Sequence, residues 1–133
     1  MSIETAERHA YVVLLDRIIA AAEAGDPADL ENIYAPDAVI WHNHDLKEQT
    51  VADNARMLSS MDRWVADREY TDRRFHVLED GVVQQHVLRG VNRKSGEPVT
   101  LHACVVVQVS ADGRIARLDE YIDSAEAAVF TAR

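Results

Sequence analysis

The stretch of sequence that decides the fold is 70-YTDRRFHVLEDGVVQQHVLRGVNRKSGEPVTLHACVVVQVSADGRIARLDEYID-123. It contains four segments rich in β-branched and aromatic residues, at 70–78, 82–92, 99–109 and 114–123. Turn signals separate them at Asp80-Gly81, Lys94-Ser95-Gly96 and Asp112-Gly113. Four long strands joined by short turns predict an antiparallel meander.

The residues before the meander have the apolar spacing of helices. A first helix is predicted over 5–24, ending at Gly25, and Asp26-Pro27 opens a short second helix through Leu30 and Ile33. Ala35-Pro36-Asp37 is expected to end it, before a strand at 38–42. Thr50, as an N-cap with Asp53 in the first turn, predicts a third helix to about residue 67.

Helices followed by a meander predict an α+β fold. We expect a single domain over residues 1–133, in which a strongly curved antiparallel sheet wraps three N-terminal helices as a cone, an α+β barrel. The inside of such a sheet is the expected place for a pocket.

Composition limits the partners that the chain can bind. A net charge of −9 over 133 residues disfavours nucleic acid and anionic lipid, which need clustered Lys and Arg. The apolar runs are too short to span a membrane, and the sequence begins without a secretory signal. With one cysteine, Cys104, these features predict a cytoplasmic protein and leave small neutral organic substrates open. The expected, mostly apolar pocket favours a small apolar or aromatic molecule.

Strand alternation sorts the meander into two faces. In the last strand one face holds Glu120 among apolar residues, namely Ala116, Leu118 and Ile122. The preceding strand turns Val105 inward and His102 outward, and the first strand turns Ala38, Ile40 and His42 to one face. In the strand 82–92 the pattern leaves open whether Gln84, His86 and Leu88 or their neighbours face inward.

A carboxylate in an apolar row needs a partner. His42 and His86 are the candidates, and with Glu120 they form the predicted catalytic set for acid–base chemistry near neutral pH. A structural pairing of Glu120 with Arg74 or Arg89 is the alternative. The predicted substrate-binding residues are Tyr34, Asn54, Trp64, Val105, Leu118 and Ile122. His42 and His44 with Glu120 are weak evidence for a metal site, and we expect neither metal nor cofactor.

Two segments carry a resemblance to a known superfamily. Ala24-Gly25-Asp26, followed by a pattern ending in Asp37-Ala38-Val39, resembles the opening of the nuclear transport factor 2-like superfamily. The stretch Asp112-Gly113-Arg114-Ile115 with Asp119-Glu120-Tyr121-Ile122-Asp123 resembles its final hairpin and strand. Residues 41–50 look like a subgroup of SnoaL-like proteins. The superfamily includes ketosteroid isomerases, SnoaL-like polyketide cyclases and limonene epoxide hydrolase, so the resemblance implies a fold and a pocket but no single reaction.

The resemblance places the aspartate base of the ketosteroid isomerases at His42, and their two oxyanion donors near Ile18 and Val105. None of those family residues is present, which argues against steroid isomerisation by that route. The Arg and two Asp of limonene epoxide hydrolase fall near His86, Leu88 and Glu120. The acidic residue of SnoaL-like cyclases corresponds to Glu120 or Asp123.

The sequence thus leads to a first hypothesis of a cofactor-independent isomerase, cyclase or lyase. In it His42 is the general base, Glu120 orients or reprotonates it, and His86 is a polarising donor or second base. A noncatalytic ligand-binding or dimerisation module is the alternative, and an epoxide-type hydrolase is a further one. The resemblance also implies a homodimer formed through the outer face of the sheet.

Overall fold

The computed structural model describes residues 8–132 of the chain, and its helices and strands follow the predicted order. The helices are α1 (Ala10–Ala24), α2 (Leu30–Ile33), α3 (Val51–Ser60) and α4 (Ser124–Phe130). The strands are β1 (Tyr34–His42), β2 (Glu48–Gln49), β3 (Val65–Leu78), β4 (Gly81–Asn92), β5 (Pro98–Val109) and β6 (Ile115–Ile122). Within the described range they form one open sheet in the order β2-β1-β6-β5-β4-β3. The fold is therefore α+β, with three helices before the meander.

The predicted helix signals act where the sequence placed them, with some shifts. Gly25 ends α1 in a left-handed conformation at φ 69°, which glycine adopts without strain. The predicted start at residue 5 lies outside the described residues, and the described helix begins at Ala10, after the N-cap His9. Thr50 and Asp53 form a reciprocal capping box at the start of α3. Asp26 instead accepts a hydrogen bond from the Ala28 backbone, and the short α2 begins only at Leu30.

The third helix is shorter than predicted. It ends at Ser60, a single 3₁₀ turn follows at Met61–Arg63, and β3 begins at Val65 rather than near residue 70. Val65 fits the helical spacing, but its β-branched side chain is buried at the start of the strand opposite Asn92. Strand pairing has outweighed local helical preference here, as tertiary contacts commonly do.

The meander β3–β6 is antiparallel, as predicted, but the sheet as a whole is mixed. β1 pairs with β6 in parallel, with His42 opposite Glu120 in the register. β1 also begins at Tyr34, so the expected break at Ala35-Pro36-Asp37 is wrong. The register of the β1–β6 pair shifts between Tyr34 and Val39, and a proline is tolerated in a strand at such an irregularity.

Two bulges bend β3 along its length. The register with β4 shifts between Ala66 and Glu69 and again between Thr71 and Arg74. Asp67 and Asp72 lie within these shifts at positive φ of 54° and 53°, a conformation that aspartate adopts more readily than most residues. Bulges of this kind increase the local twist and bend of a strand.

Two clusters of buried side chains fill the concave side of the sheet. The larger joins α1, α2 and α3 to the inner face, with Leu15, Ile33, Ile40 and Val107 among its members. The smaller contains Val65, Leu88, Leu101 and Phe130. Phe130 belongs to α4, a helix that the sequence analysis missed because its seven residues show no clear apolar period. Among residues 8–132, no helix combines the length and the apolar character needed to cross a membrane.

Arg68 ties the end of α1 to the start of β3. Its guanidinium donates to the Ala22 carbonyl from Nε (3.2 Å) and Nη2 (2.9 Å), and to the Val65 carbonyl from Nη1 (2.7 Å). The side chain is 1% exposed, and its carboxylate partner Asp62 is 3.4 Å away. A buried cation is thus held mainly by carbonyls at a helix C-terminus, where the helix dipole favours positive charge.

We predict that Arg68→Met lowers the free energy of unfolding by about 2–4 kcal/mol, because the Ala22 and Val65 carbonyls lose the guanidinium N–H donors. The Ala22 carbonyl keeps a bond from the Gly25 N–H at 3.3 Å. Urea denaturation followed by circular dichroism measures the change. The matched control is Arg89→Met, whose partner Asp72 lies 3.3 Å away in an exposed pair. An exposed pair contributes about 0–1 kcal/mol. Equal costs for the two variants would contradict the anchoring role of Arg68.

Candidate functional site

The parallel pairing of β1 and β6 brings a histidine and a carboxylate together inside the sheet. Nε2 of His42 lies 3.0 Å from Oε1 of Glu120, and their side chains are 8% and 23% exposed. Asn43 secures this end of β1, because its side chain donates to the Ile122 carbonyl (3.2 Å) and accepts from the Ile122 N–H (2.9 Å). His42 and Glu120 are therefore held side by side by the backbone as well as by their own contact.

His42 and Glu120 each stabilise the charged form of the other. Burial alone would lower the pKa of His42, but the hydrogen bond and negative charge of Glu120 outweigh it, and the pKa is raised above 6.5. Burial alone would raise the pKa of Glu120, but the hydrogen bond to His42 and its charge, with smaller effects of His86 and His44, hold that pKa below 4.5. Glu120 is thus an ionised carboxylate at neutral pH. Nδ1 of His42 is buried and has no hydrogen-bond partner among the described residues.

His86 lies on the same side of the sheet and has the opposite electrostatic character. Burial lowers its pKa below 6.5, and the Arg73 cation lowers it further, against the attraction of Glu120. Nδ1 of His86 is 2.9 Å from Nε2 of the buried Gln84. The sequence left open which face of β4 points inward. The inward face carries Gln84, His86 and Leu88, since all three are buried.

These side chains border a cavity of about 80 Å³ between the sheet and helices α1 and α3. Its polar groups are His42, Glu120, His86, Gln84, Asn54 and the phenols of Tyr34 and Tyr70. Its apolar residues are Leu15, Ile18, Ile19, Ala22, Ile40, Met57, Leu58, Met61, Val105 and Leu118. The volume corresponds to two or three water molecules, which is below the usual range of about 300–1,000 Å³ for ligand pockets.

Seven of the nine site residues predicted from sequence border this cavity, namely His42, Glu120, His86, Tyr34, Asn54, Val105 and Leu118. Trp64 and Ile122 lie elsewhere, packed against the second cluster around Phe130, so their expected place in the cavity is corrected. Ile122 was assigned by alternation alone, and the sequence did not reveal that α4 covers that end of β6. Trp64 sits in the turn that replaces the predicted end of the third helix.

Glu120 and Asp123 are now distinguished by position. Asp123 is the N-cap of α4 and accepts from the backbone N–H groups of Ala125 and Glu126. Arg89 pairs with Asp72, so the alternative pairing of Glu120 with that arginine is not formed. His44 follows β1 with its ring 5.7 Å from that of His42, and no group of three or more potential metal ligands occurs among residues 8–132.

Tyr70 and Gln84 also border the cavity, and Arg73 contacts Gln84, although none of the three was predicted as a site residue. Burial raises the pKa of both Tyr34 and Tyr70, and the charge of Glu120 adds to this effect, so both phenols stay protonated and can donate hydrogen bonds. The tilted ring of Tyr70 lies 5.1 Å from that of His86. The bulges in β3 interrupt simple alternation of side chains, so the inward direction of Tyr70 could not be read from the strand pattern.

Fold and site together define a helix-filled, curved-sheet domain with an acid–base pair at its centre. The SnoaL-like domain family matches residues 15–118, and the chain belongs to this family. No curated protein sequence matches the chain significantly.

Solved structures with the same fold differ widely from it in sequence. TsrD from Streptomyces laurentii is 18% identical, with a TM-score of 0.78 over 95% of this chain and 97% of that chain. IdmH from Streptomyces antibioticus, provisionally described as a polyketide cyclase, is 19% identical, with a TM-score of 0.78 over 92% and 98% of the two chains. A protein of ketosteroid isomerase-like fold from Catenulispora acidiphila, solved with trimethylamine, is 13% identical, with a TM-score of 0.76 over 89% and 91%. At these identities the likeness establishes the fold alone.

The opposite pKa shifts of His42 and His86 predict opposite dependences of stability on pH. The raised pKa of His42 stabilises the folded state below pH 6.5, while Glu120 remains ionised, and this is lost as the pH rises through the folded-state pKa. The lowered pKa of His86 costs stability below its folded-state pKa, and the cost disappears above 6.5.

We therefore expect His42→Gln to reduce the free energy of unfolding more at about pH 5.5 than at about pH 9, and His86→Asn to do the reverse. Urea denaturation at the two pH values measures both. His76→Gln, at an exposed position on β3, controls for loss of a histidine as such. The same pH trend in both site variants would contradict the assigned shifts.

Proposed function

We propose that this protein is a cofactor-independent enzyme of the isomerase, cyclase or lyase type, acting by proton transfer on a small apolar or aromatic molecule. The observation that carries the proposal is the 3.0 Å contact between His42 Nε2 and Glu120 Oε1 at the wall of an otherwise largely apolar cavity. A general base works best when its pKa lies near the working pH, and the raised pKa of His42 is in that direction.

The roles follow from the protonation states of the two groups. Ionised Glu120 accepts a hydrogen bond from Nε2–H of neutral His42, which leaves the lone pair on Nδ1 to take a proton from the substrate. The imidazolium formed is stabilised by the adjacent carboxylate, which also fixes the ring orientation. The same imidazolium returns the proton at another position of the substrate, so no cofactor is required. His86 and the phenols of Tyr34 and Tyr70 are placed to polarise a carbonyl, hydroxyl or epoxide oxygen.

The size of the cavity limits the substrate. At about 80 Å³ it holds less than an aromatic ring and its substituents, so binding requires a wall to move. Met57 and Met61 are the flexible side chains of that wall, and methionine adapts its shape at low cost. We propose that small cyclic enones, ketones or phenols enter as these two side chains shift.

A second candidate is a module that binds a ligand without converting it, since the polar groups of the cavity can hold a molecule without a proton transfer. Fold alone does not separate the two, because one fold supports unrelated functions. An epoxide-type hydrolase remains a further candidate, in which the dyad activates a water molecule instead of removing a proton from carbon.

We predict that His42→Gln lowers kcat/KM by about 10²–10⁴-fold, and that Glu120→Gln lowers it by a similar or smaller factor, because general base catalysis is lost. Exchange of the α-protons of small cyclic enones and ketones in D₂O, followed by NMR, measures proton abstraction directly. Epoxides and aromatic diols complete the panel. The control is the exposed His76→Gln variant.

Unchanged exchange in His42→Gln would overturn the assignment of the base. If ligands of the panel raise the melting temperature while none is converted, the binding module is the better description. Turnover restricted to epoxides, with uptake of water, would favour the hydrolase.

We further propose that the protein is a cytoplasmic homodimer formed through the outer face of the sheet. This face holds an open concavity of about 820 Å³ lined by residues of β3 to β6, including Cys104 and Tyr121. Tyr121 is 47% exposed although it is a large aromatic residue. Arg74 borders one end and Asp123 the other, so a two-fold-related copy sets opposite charges against each other.

Light scattering is expected to give a mass near twice the 14.9 kDa of the chain. Tyr121→Arg should shift this mass to that of one chain, because it places a charge within the proposed interface. The matched control is Val129→Arg on α4, where the valine is 61% exposed and does not line the concavity. A wild-type mass of one chain would rule out the dimer.

A further inference from the structure

A row of polar side chains in mutual contact runs from the surface of α1, by way of β3 and β4, to the cavity. Asp16 on α1 accepts from Nη2 of Arg73 at 2.8 Å, and also pairs with Arg8. Arg73 donates from Nε (3.0 Å) and Nη2 (2.9 Å) to the side-chain oxygen of Gln84. The amide nitrogen of Gln84 contacts Nδ1 of His86 at 2.9 Å. Gln84 is 2% exposed, so water does not compete for its bonds.

The chemistry of these groups fixes every proton in the chain. A guanidinium has only donors, so the Gln84 atom that faces Arg73 must be the carbonyl oxygen. The opposite orientation of the amide would turn its NH₂ group toward the guanidinium, donor against donor. The Gln84 atom that faces His86 is therefore the NH₂ group, which donates. Nδ1 of His86 must then be the acceptor and carry no proton.

We propose that Arg73 and Gln84 are positioning residues that fix His86 as a neutral imidazole with its proton on Nε2, so that His86 acts as a hydrogen-bond donor and not as a second base. The lone pair on Nδ1 of His86 accepts the hydrogen bond from Gln84, and Nε2–H is the group left for a ligand oxygen. Protonation of Nδ1 would set an N–H against the Gln84 NH₂ group, which is consistent with the lowered pKa of His86. The part of this proposal that concerns catalysis rests on the proposed function.

The proposal divides the two histidines of the site into different roles. His42 contacts a carboxylate, which accepts a hydrogen bond from Nε2–H and leaves Nδ1 as a base. His86 contacts an amide NH₂ group, which donates to Nδ1 and leaves Nε2–H as a donor. Neutral hydrogen-bond donors held in a dry site stabilise negative charge that develops on a substrate oxygen.

The tautomer of His86 is measurable without any substrate. In long-range ¹H–¹⁵N NMR spectra of the ¹⁵N-labelled protein at about pH 7.5, we expect an unprotonated Nδ1 and a protonated Nε2 for His86. Gln84→Glu should reverse this, because a carboxylate that pairs with Arg73 has only acceptors and His86 must then donate from Nδ1. The matched control is Gln108→Glu, the same change at an exposed position of β5 that borders neither the cavity nor the outer concavity, and it should leave the His86 signals unchanged.

A second variant covers the case in which Gln84→Glu does not fold. Arg73→Met removes both donors to the Gln84 oxygen, so the amide is free to turn and both His86 tautomers should appear. A protonated Nδ1 in the wild-type protein, or an unprotonated Nδ1 in Gln84→Glu, would overturn the proposal.

The effect of the His86 tautomer on catalysis is measured separately. If the panel contains a substrate, Gln84→Glu should lower kcat/KM by about 10–100-fold and Gln108→Glu should change it less than about twofold. An altered tautomer with unchanged turnover would remove His86 from catalysis but leave the tautomer assignment intact. An unaffected exchange rate in His42→Gln with the expected tautomer would overturn the proposed function only.

Discussion

The parallel pairing of β1 with β6 is the constraint on which the site depends. A purely antiparallel meander brings no residue of β1 beside β6, whereas the parallel register sets His42 directly opposite Glu120. Asn43 extends this pairing beyond the end of β1 with two bonds to the backbone of Ile122. Because the dyad is built from backbone register, its geometry does not rely on loops, and side chains placed on rigid elements are held more accurately than those on loops.

Much of the fold was readable from the sequence because its signals are local. Gly25, the capping box of Thr50 and Asp53, and the meander turns each act within a few residues, and each appears where predicted. The errors come from interactions between distant segments. Val65 follows its strand partner Asn92 rather than its helical spacing, and Pro36 lies within a strand because the register shifts there.

In the site, too, local patterns were readable from the sequence and the effects of distant segments were not. Alternation placed Glu120, His42, Val105 and Leu118 on the inner face, because β1, β5 and β6 are regular where these residues lie. It was not applied to the strand that contains Tyr70, where the bulges around Asp67 and Asp72 reset which side chains face inward. It also misplaced Ile122, because the position of α4 over that end of the sheet depends on Phe130 packing against Leu88 and Leu101, contacts far apart in the sequence.

The wall of the cavity is formed partly by strands and partly by helices. The groups with acid–base character, His42, Glu120 and His86, stand on strands, whereas much of the apolar surface that sets the volume, including Met57 and Leu15, stands on helices. A change of volume on the helices leaves the strand register, and hence the dyad, in place. Size selection and chemistry can therefore diverge independently in descendants of this sequence, and replacing Met57 by a smaller residue is the simplest way for an engineer to widen the range of molecules admitted without rebuilding the proton-transfer groups.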